Sequence, residues 1–276
     1  NLGYTPNEIA AEVTLPPGLW DDFMCHGYYG TVSHNVRAVY QRYIGFYDGH
    51  PSSLDPHTPV EVGKRYVDFM GGIEDLLEKA KKAFKEGDYK WVAEVLRHAV
   101  FANPENEAVR LLQADAFEQL AYQAESGPWR DIYLTGAQEL RNGSINVPVL
   151  QRPRLEVAKG MTLGQIFDFL AVKVNGNAAV KLSPMTINWS FSDTNENAYL
   201  ELSNGTLHSK IGPIIRSTDL EIVSSRDVLE ELISTEYSIT QALEEKRIDI
   251  EGNVEKFLNF WETLTDFPLF WPIIEP

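Results

Sequence analysis

One cysteine, Cys25, stands in 276 residues. A single thiol excludes an internal disulfide and any zinc site built from several cysteine ligands. It leaves the compartment open, because secreted bacterial chains often lack disulfides. No run of about 18 apolar residues occurs, so nothing in the sequence reads as a membrane-spanning helix. No signal peptide is visible either. Positive charge is scarce: 24 Lys and Arg stand against 40 Asp and Glu, for a formal net charge of −16. Such a surface repels phosphate backbones and anionic lipid. Nucleic acid is therefore not expected as a partner, and any anion site has to be locally basic.

The usual signatures of chemistry are missing too. The histidines are His26, His34, His50, His57, His98 and His208. None falls into His-x-His-x-Asp-His or His-Glu-x-x-His, so no metal ligand is read from this chain. No Gly-x-Ser-x-Gly elbow, phosphate loop or dinucleotide fingerprint appears. Ser33-His34 and Cys25-His26 are sequence neighbours, and adjacent helical residues diverge by about 100°. Neither reads as a nucleophile with its base. The sequence opens at Asn1 without a Met and runs straight into Leu-Gly-Tyr-Thr-Pro, which reads as the middle of a longer polypeptide.

What is present concentrates between Gly27 and Pro51. Tyr28, Tyr29, Tyr40, Tyr43, Phe46 and Tyr47 share this stretch with Arg37, Arg42, His34, His50 and Asn35. Val32, Val36, Val39 and Tyr43 recur at helical spacing, which predicts a helix over 31–43. Gly-Tyr-Tyr-Gly before it and Gly-Phe-Tyr-Asp-Gly-His-Pro after it are turn-forming. Tyr29, Asn35, Arg37, Tyr40, Arg42 and Tyr43 would offer hydroxyl, amide and guanidinium donors to an anion. The rival reading is that these groups stitch the helix to a neighbouring domain.

Before this stretch, Thr5-Pro6 with Glu8 predicts a helix start, and Pro16-Pro17 its end. After it, Val60 to Gly143 is helical throughout. Ile73, Leu76, Leu77, Ala80, Ala83 and Phe84 make one stripe. Gly87-Asp88-Tyr89, then Asn103-Pro104-Glu105-Asn106, resemble the punctuation of about one tetratricopeptide-type helix pair. A lone pair cannot bury its own stripe, which points to a neighbouring domain or a second copy of the chain. Ser144 to Lys159, with Pro148 and Pro153, reads as a domain boundary with little helical periodicity. Met161 to Val174 is a helix. Ile187, Trp189 and Phe191 alternate with polar residues, Asn204-Gly205 marks a hairpin, and Leu220 to Val223 is a strand. Ser225 is the expected cap of the next helix. A short helix at 239–243, a strand at 248–250 and a helix from Val254 follow. The apolar tail Phe267 to Ile274 is expected to dock on a surface.

These residues carry a family resemblance. Gly27-Tyr-Tyr-Gly-x-x-x-His-Asn-x-Arg-Ala-Val-Tyr-x-x-Tyr-x-Gly-Phe-Tyr-Asp-Gly, with Asn1-x-Gly-Tyr-Thr-x-x-Glu-Ile-Ala, resembles the linear alkyl sulfatases of the metallo-β-lactamase superfamily. The likeness runs the full length and implies three parts. Residues 1–54 would be a joining segment from a zinc-binding hydrolase domain that this chain lacks. Residues 55–143 would be an all-α, tetratricopeptide-like dimerisation domain. Residues 144–276 would be an α+β domain similar to sterol carrier protein type 2, with an antiparallel sheet.

The resemblance implies function as well. The complete enzyme would use zinc held in the missing domain to cleave an alkyl sulfate to alcohol and sulfate. This chain would hold no metal and no catalytic residue of its own. Its partners would be a second copy, the hydrolase domain, and an alkyl sulfate or other apolar molecule. Tyr40 or Tyr43 would contact the sulfate, with Tyr29, Asn35 and Arg37 nearby. Trp189, Phe191, Trp261, Phe270 and Trp271, with Leu202, Leu207 and Phe257, would meet the alkyl tail or else form ordinary core. The parent is expected in the periplasm or outside the cell. A free-standing carrier of apolar ligands is the alternative.

Overall fold

The structure, a computed structural model, describes residues 2–145, 154–212, 214, 217–234, 237–267 and 270–276. It divides into two compact units, Asn1–Ile145 with Trp271–Pro276, and Asn146–Phe270. The expected boundary segment, including Pro148 and Pro153, lies largely outside the described residues. The six residues at 271–276, expected with the last domain, pack within the first unit.

In the first unit, α1 (Pro6–Glu12) starts as the sequence predicts. Thr5 Oγ1 accepts from the Glu8 amide at 3.3 Å and Glu8 Oε2 accepts from the Thr5 amide at 2.7 Å, a reciprocal cap. Next come α2 (Pro17–Trp20) and α3 (Val32–Ile44). Five longer helices follow: α4 (Pro59–Phe69), α5 (Ile73–Lys85), α6 (Tyr89–Ala102), α7 (Glu107–Gln123) and α8 (Gly127–Asn142). The turn residues double as caps. Asp88 accepts from the Trp91 amide and Asn106 from the Val109 amide, so each connection ends one helix and starts the next.

These helices share one core, in which Leu76, Val92, Leu96, Ala99, Val109 and Leu140 are fully enclosed. Its alanines let the helices approach closely. The α5 stripe is covered by the chain's own neighbours: Leu76 and Ala80 are buried and Ile73, Leu77, Ala83 and Phe84 pack against the same core. The unpartnered stripe expected of a lone helix pair is therefore not there, because five helices close on one another rather than two.

The second unit begins with α9 (Leu155–Gly160), a helix where no periodicity was expected; six residues are too few to show one. Then come α10 (Leu163–Lys173), α11 (Gly176–Ala179), α12 (Arg226–Ser234), α13 (Ile239–Glu244) and α14 (Val254–Trp261). The strands are β1 (Met185–Phe191), β2 (Glu196–Ser203), β3 (Thr206–Ile211), β4 (Leu220–Ser224) and β5 (Ile248–Gly252), in the order β3-β2-β1-β4-β5. Asn204 and Gly205 both take positive φ, 51° and 76°, as a two-residue hairpin of the mirror-image type requires. The sheet differs from a purely antiparallel one at one ladder: β1 and β4 run parallel.

Register puts one apolar face together. Ile187 lies between Leu200 and Leu220, and Trp189 between Ala198 and Ile222. Phe167 of α10, Leu229 of α12 and Phe257 of α14 share that buried cluster. The sheet is thus lined on one face by helices, an α+β arrangement.

Candidate functional site

Between Asp22 and Thr58 no side chain is buried, and the same holds for α1 and α2. Yet this stretch is pinned. Glu125 takes His26 Nδ1 on one oxygen at 2.8 Å and the Gly27 amide on the other at 3.2 Å. Ser126 Oγ donates to the Tyr29 carbonyl at 2.6 Å, and the Gly127 amide donates to the Tyr28 carbonyl at 2.8 Å. Trp129 Nε1 donates to His34 Nδ1 at 3.3 Å, which leaves the proton of a neutral His34 on Nε2. The turn into α8 therefore anchors the turn into α3. Sequence reading missed Glu125, Ser126 and Trp129. Ser126 and Pro128 signal a helix start, but nothing local signals a partner about a hundred positions away.

The pinning shows in the electrostatics. Partial loss of water contact first, and then the Glu125 carboxylate, push the Tyr28 phenol above its ordinary range. The exit loop is held from within: Asp48 accepts from the His50 amide at 2.9 Å and from Ser53 Oγ at 3.0 Å. Those bonds, the His50 amide foremost, hold the Asp48 carboxyl below its usual range.

On α3 the expected residues separate into two groups. Thr31 Oγ1 caps the helix by accepting from the His34 amide at 3.0 Å. Val36, Arg37 and Tyr40 are half-buried on the covered side. Arg37 donates to Ser33 Oγ at 2.8 Å, while its Nε is buried with no hydrogen-bond partner among the described residues. Asn35 is exposed beside Gly30. Tyr29 and Tyr43 are 82% and 83% exposed, and Phe46 just beyond is 93% exposed. The expected stripe Val32, Val36, Val39, Tyr43 is thus covered only in its first turns; Val39, Tyr43 and Ile44 face open space. Tyr40 and Tyr43 lie on neighbouring sides of the helix, about 60° apart at 100° per residue.

The tail candidates separate likewise. Trp189, Phe191, Leu202, Leu207 and Phe257 are core. Trp189 stacks on Phe191 at 5.7 Å and donates Nε1 to Ser224 Oγ at 2.9 Å. Trp261 is half-buried and lines a cavity of about 180 Å³ with Leu170, Leu232, Ile233 and Leu264, beside the ion pair of Lys173 and Asp266. Phe270 and Trp271 are exposed. Among the described residues no three His, Cys, Asp or Glu side chains come together as a metal site.

Two family models cover the chain in succession: alkyl sulfatase dimerisation over residues 5–143 and alkyl sulfatase C-terminal over residues 153–276. The chain belongs to the alkyl sulfatase family. This alkyl sulfatase sequence is 40% identical over 278 residues to an (R)-specific secondary-alkylsulfatase of a Pseudomonas species, covering 100% of this chain and 41% of that protein. It is 39% identical over 281 residues to the alkyl/aryl-sulfatase BDS1 of Saccharomyces cerevisiae, covering 100% of this chain and 42% of that one. Among solved structures, the stereoselective inverting sec-alkylsulfatase Pisa1 from a Pseudomonas species matches with a TM-score of 0.90 at 40% identity, over 99% of this chain and 43% of that chain. The chain therefore spans about two fifths of the length of these relatives. The dimerisation match takes in most of what was expected as a joining segment.

Proposed function

We propose that these residues are the dimerisation and substrate-positioning portion of an enzyme that hydrolyses alkyl sulfate esters, such as dodecyl sulfate, to alcohol and sulfate. Cleavage by zinc-activated water would belong to a hydrolase portion outside these residues. The observation that carries this reading is α3: a helix anchored at one end by Glu125, Ser126 and Trp129 whose last turn is uncovered. A helix with exposed Val39, Tyr43, Ile44 and Phe46 needs a partner to bury that surface. The hydrolase portion is that partner in this reading, and Tyr43 or Tyr40 reaches the sulfate from it. Asn35 and Tyr29, both exposed, supply further donors.

The alkyl tail would meet the second unit at the cavity beside Trp261. Leu170, Leu232, Ile233 and Leu264 give it an apolar side, and Lys173 and Asp266 a charged one.

Two measurements test these assignments. The chain by itself, given zinc and dodecyl sulfate, is expected to show no turnover; hydrolysis would overturn the division of labour. Hydrogen exchange at the amides of residues 43–46 is expected to slow when the hydrolase portion is added. Unchanged exchange in a complex that forms would move the contact away from α3.

A further inference from the structure

The segment Trp271–Pro276 returns to the first unit after residues 146–270 have formed the second. It carries no helix or strand, so nothing regular holds it. What holds it is a set of side chains on α7 and α8. Glu139, buried on α8, accepts both the Ile273 amide at 2.7 Å and the Ile274 amide at 3.0 Å on one oxygen. Arg110 of α7 pairs with Glu275 and also donates to the Leu140 carbonyl and the Pro104 carbonyl, each at 3.0 Å. The Ile274 side chain packs on the helical core beside Gly136. Next to Glu275 and Pro276 an open cleft of about 500 Å³ runs past Pro104, Arg110 and Leu111.

Each part of the segment meets a different group: backbone meets Glu139, the Ile274 side chain meets the helical core, and a carboxylate meets Arg110. That is how proteins recognise short extended peptides, with main-chain bonds for affinity and pockets for specificity. The groove and the segment also match in polarity: Glu139, buried with the segment in place, takes two amide donors from it. We propose that the α7–α8 groove is a peptide-recognition site, and that Trp271–Pro276 occupies it as a separable ligand, a clasp held by the Ile273 and Ile274 amides, the Ile274 side chain and the Glu275 carboxylate.

The test uses the full chain. Ile274→Asp puts a charge where the helical core is met and is expected to expel the segment. A fluorescent peptide of sequence Trp-Pro-Ile-Ile-Glu-Pro is then expected to bind the Ile274→Asp chain and to be excluded from the unaltered chain, whose groove is filled. Adding Glu139→Ala to the first substitution is expected to abolish that binding. Should Ile274→Asp lose its helical circular dichroism, Glu275→Lys, which sets two cations against each other at Arg110, takes its place. In the otherwise unaltered chain, Glu139→Ala is expected to speed exchange at the Ile273 and Ile274 amides at least tenfold and leave the β1 amides unchanged. The proposal is overturned if the peptide binds neither folded variant, if it binds the unaltered chain equally well, or if Glu139→Ala leaves the two amides protected.

Discussion

At the scale of single residues, Trp189 shows how depth escapes a sequence. Alternation puts Ile187, Trp189 and Phe191 on one face of a strand, but whether that face meets helices or solvent depends on segments far along the chain. Here Phe257 meets the Trp189 ring edge-on at 6.1 Å and Phe167 lies at 5.9 Å. Trp189→Ala is expected to destabilise the second unit by about 3–5 kcal/mol, the range for deleting a large core aromatic, read from urea unfolding. Trp189→Phe is expected to lose less, because it keeps an aromatic body and removes the bond to Ser224.

Asp219 gives a pH dependence. It accepts from the Thr186 amide at 2.8 Å and from Thr186 Oγ1 at 2.9 Å, tying the start of β4 to β1. The amide bond first, and then the hydroxyl, hold its carboxyl below the usual range. A depressed carboxyl stabilises the fold fully above the unfolded value of about 3.9, and that contribution is lost as pH falls through the lower folded value. Urea midpoints of the second unit are therefore expected to fall with acidification in this window, and Asp219→Asn to flatten the fall. An unaltered slope in the variant would assign the acid sensitivity to other groups.

At the scale of elements, what was legible followed local rules. The Thr5 cap, the Asn204-Gly205 hairpin and the Asp88 and Asn106 helix starts each depend on residues within a few positions. What was not legible depended on distant partners. Strand alternation carries no sign of direction, so the parallel β1–β4 ladder was hidden. At α12 the first-turn amide of Arg226 goes to Asp193 Oδ1 at 2.8 Å, a partner that the expectation of a Ser225 cap did not include. On α3, an apolar stripe looked uniform, yet its cover runs out before Tyr43. One close helix crossing was equally silent. A Cβ on Gly63 of α4 would sit 2.6 Å from the His98 carbonyl of α6. Gly63→Ala is expected to force α4 and α6 apart and to lower stability by about 1–3 kcal/mol, as overpacking does. A drop in the melting temperature of the helical unit checks this.

At the scale of the whole molecule, the dimerisation match replaces the bare stripe as the reason to expect a pair. Phe69 and Ile132 are among the large apolar side chains that the helical unit leaves exposed. Light scattering at micromolar concentration is expected to give twice the chain mass, and a monomer would count against self-association through these residues. No helix among the described residues is long and apolar enough to cross a membrane.

The chain leaves the helical unit at residue 145 and rejoins it at residue 271. A single backbone cut between positions 146 and 153 would therefore not set the halves free. The fragments are expected to elute as one species from a sizing column, and to separate once Ile274→Asp expels residues 271–276.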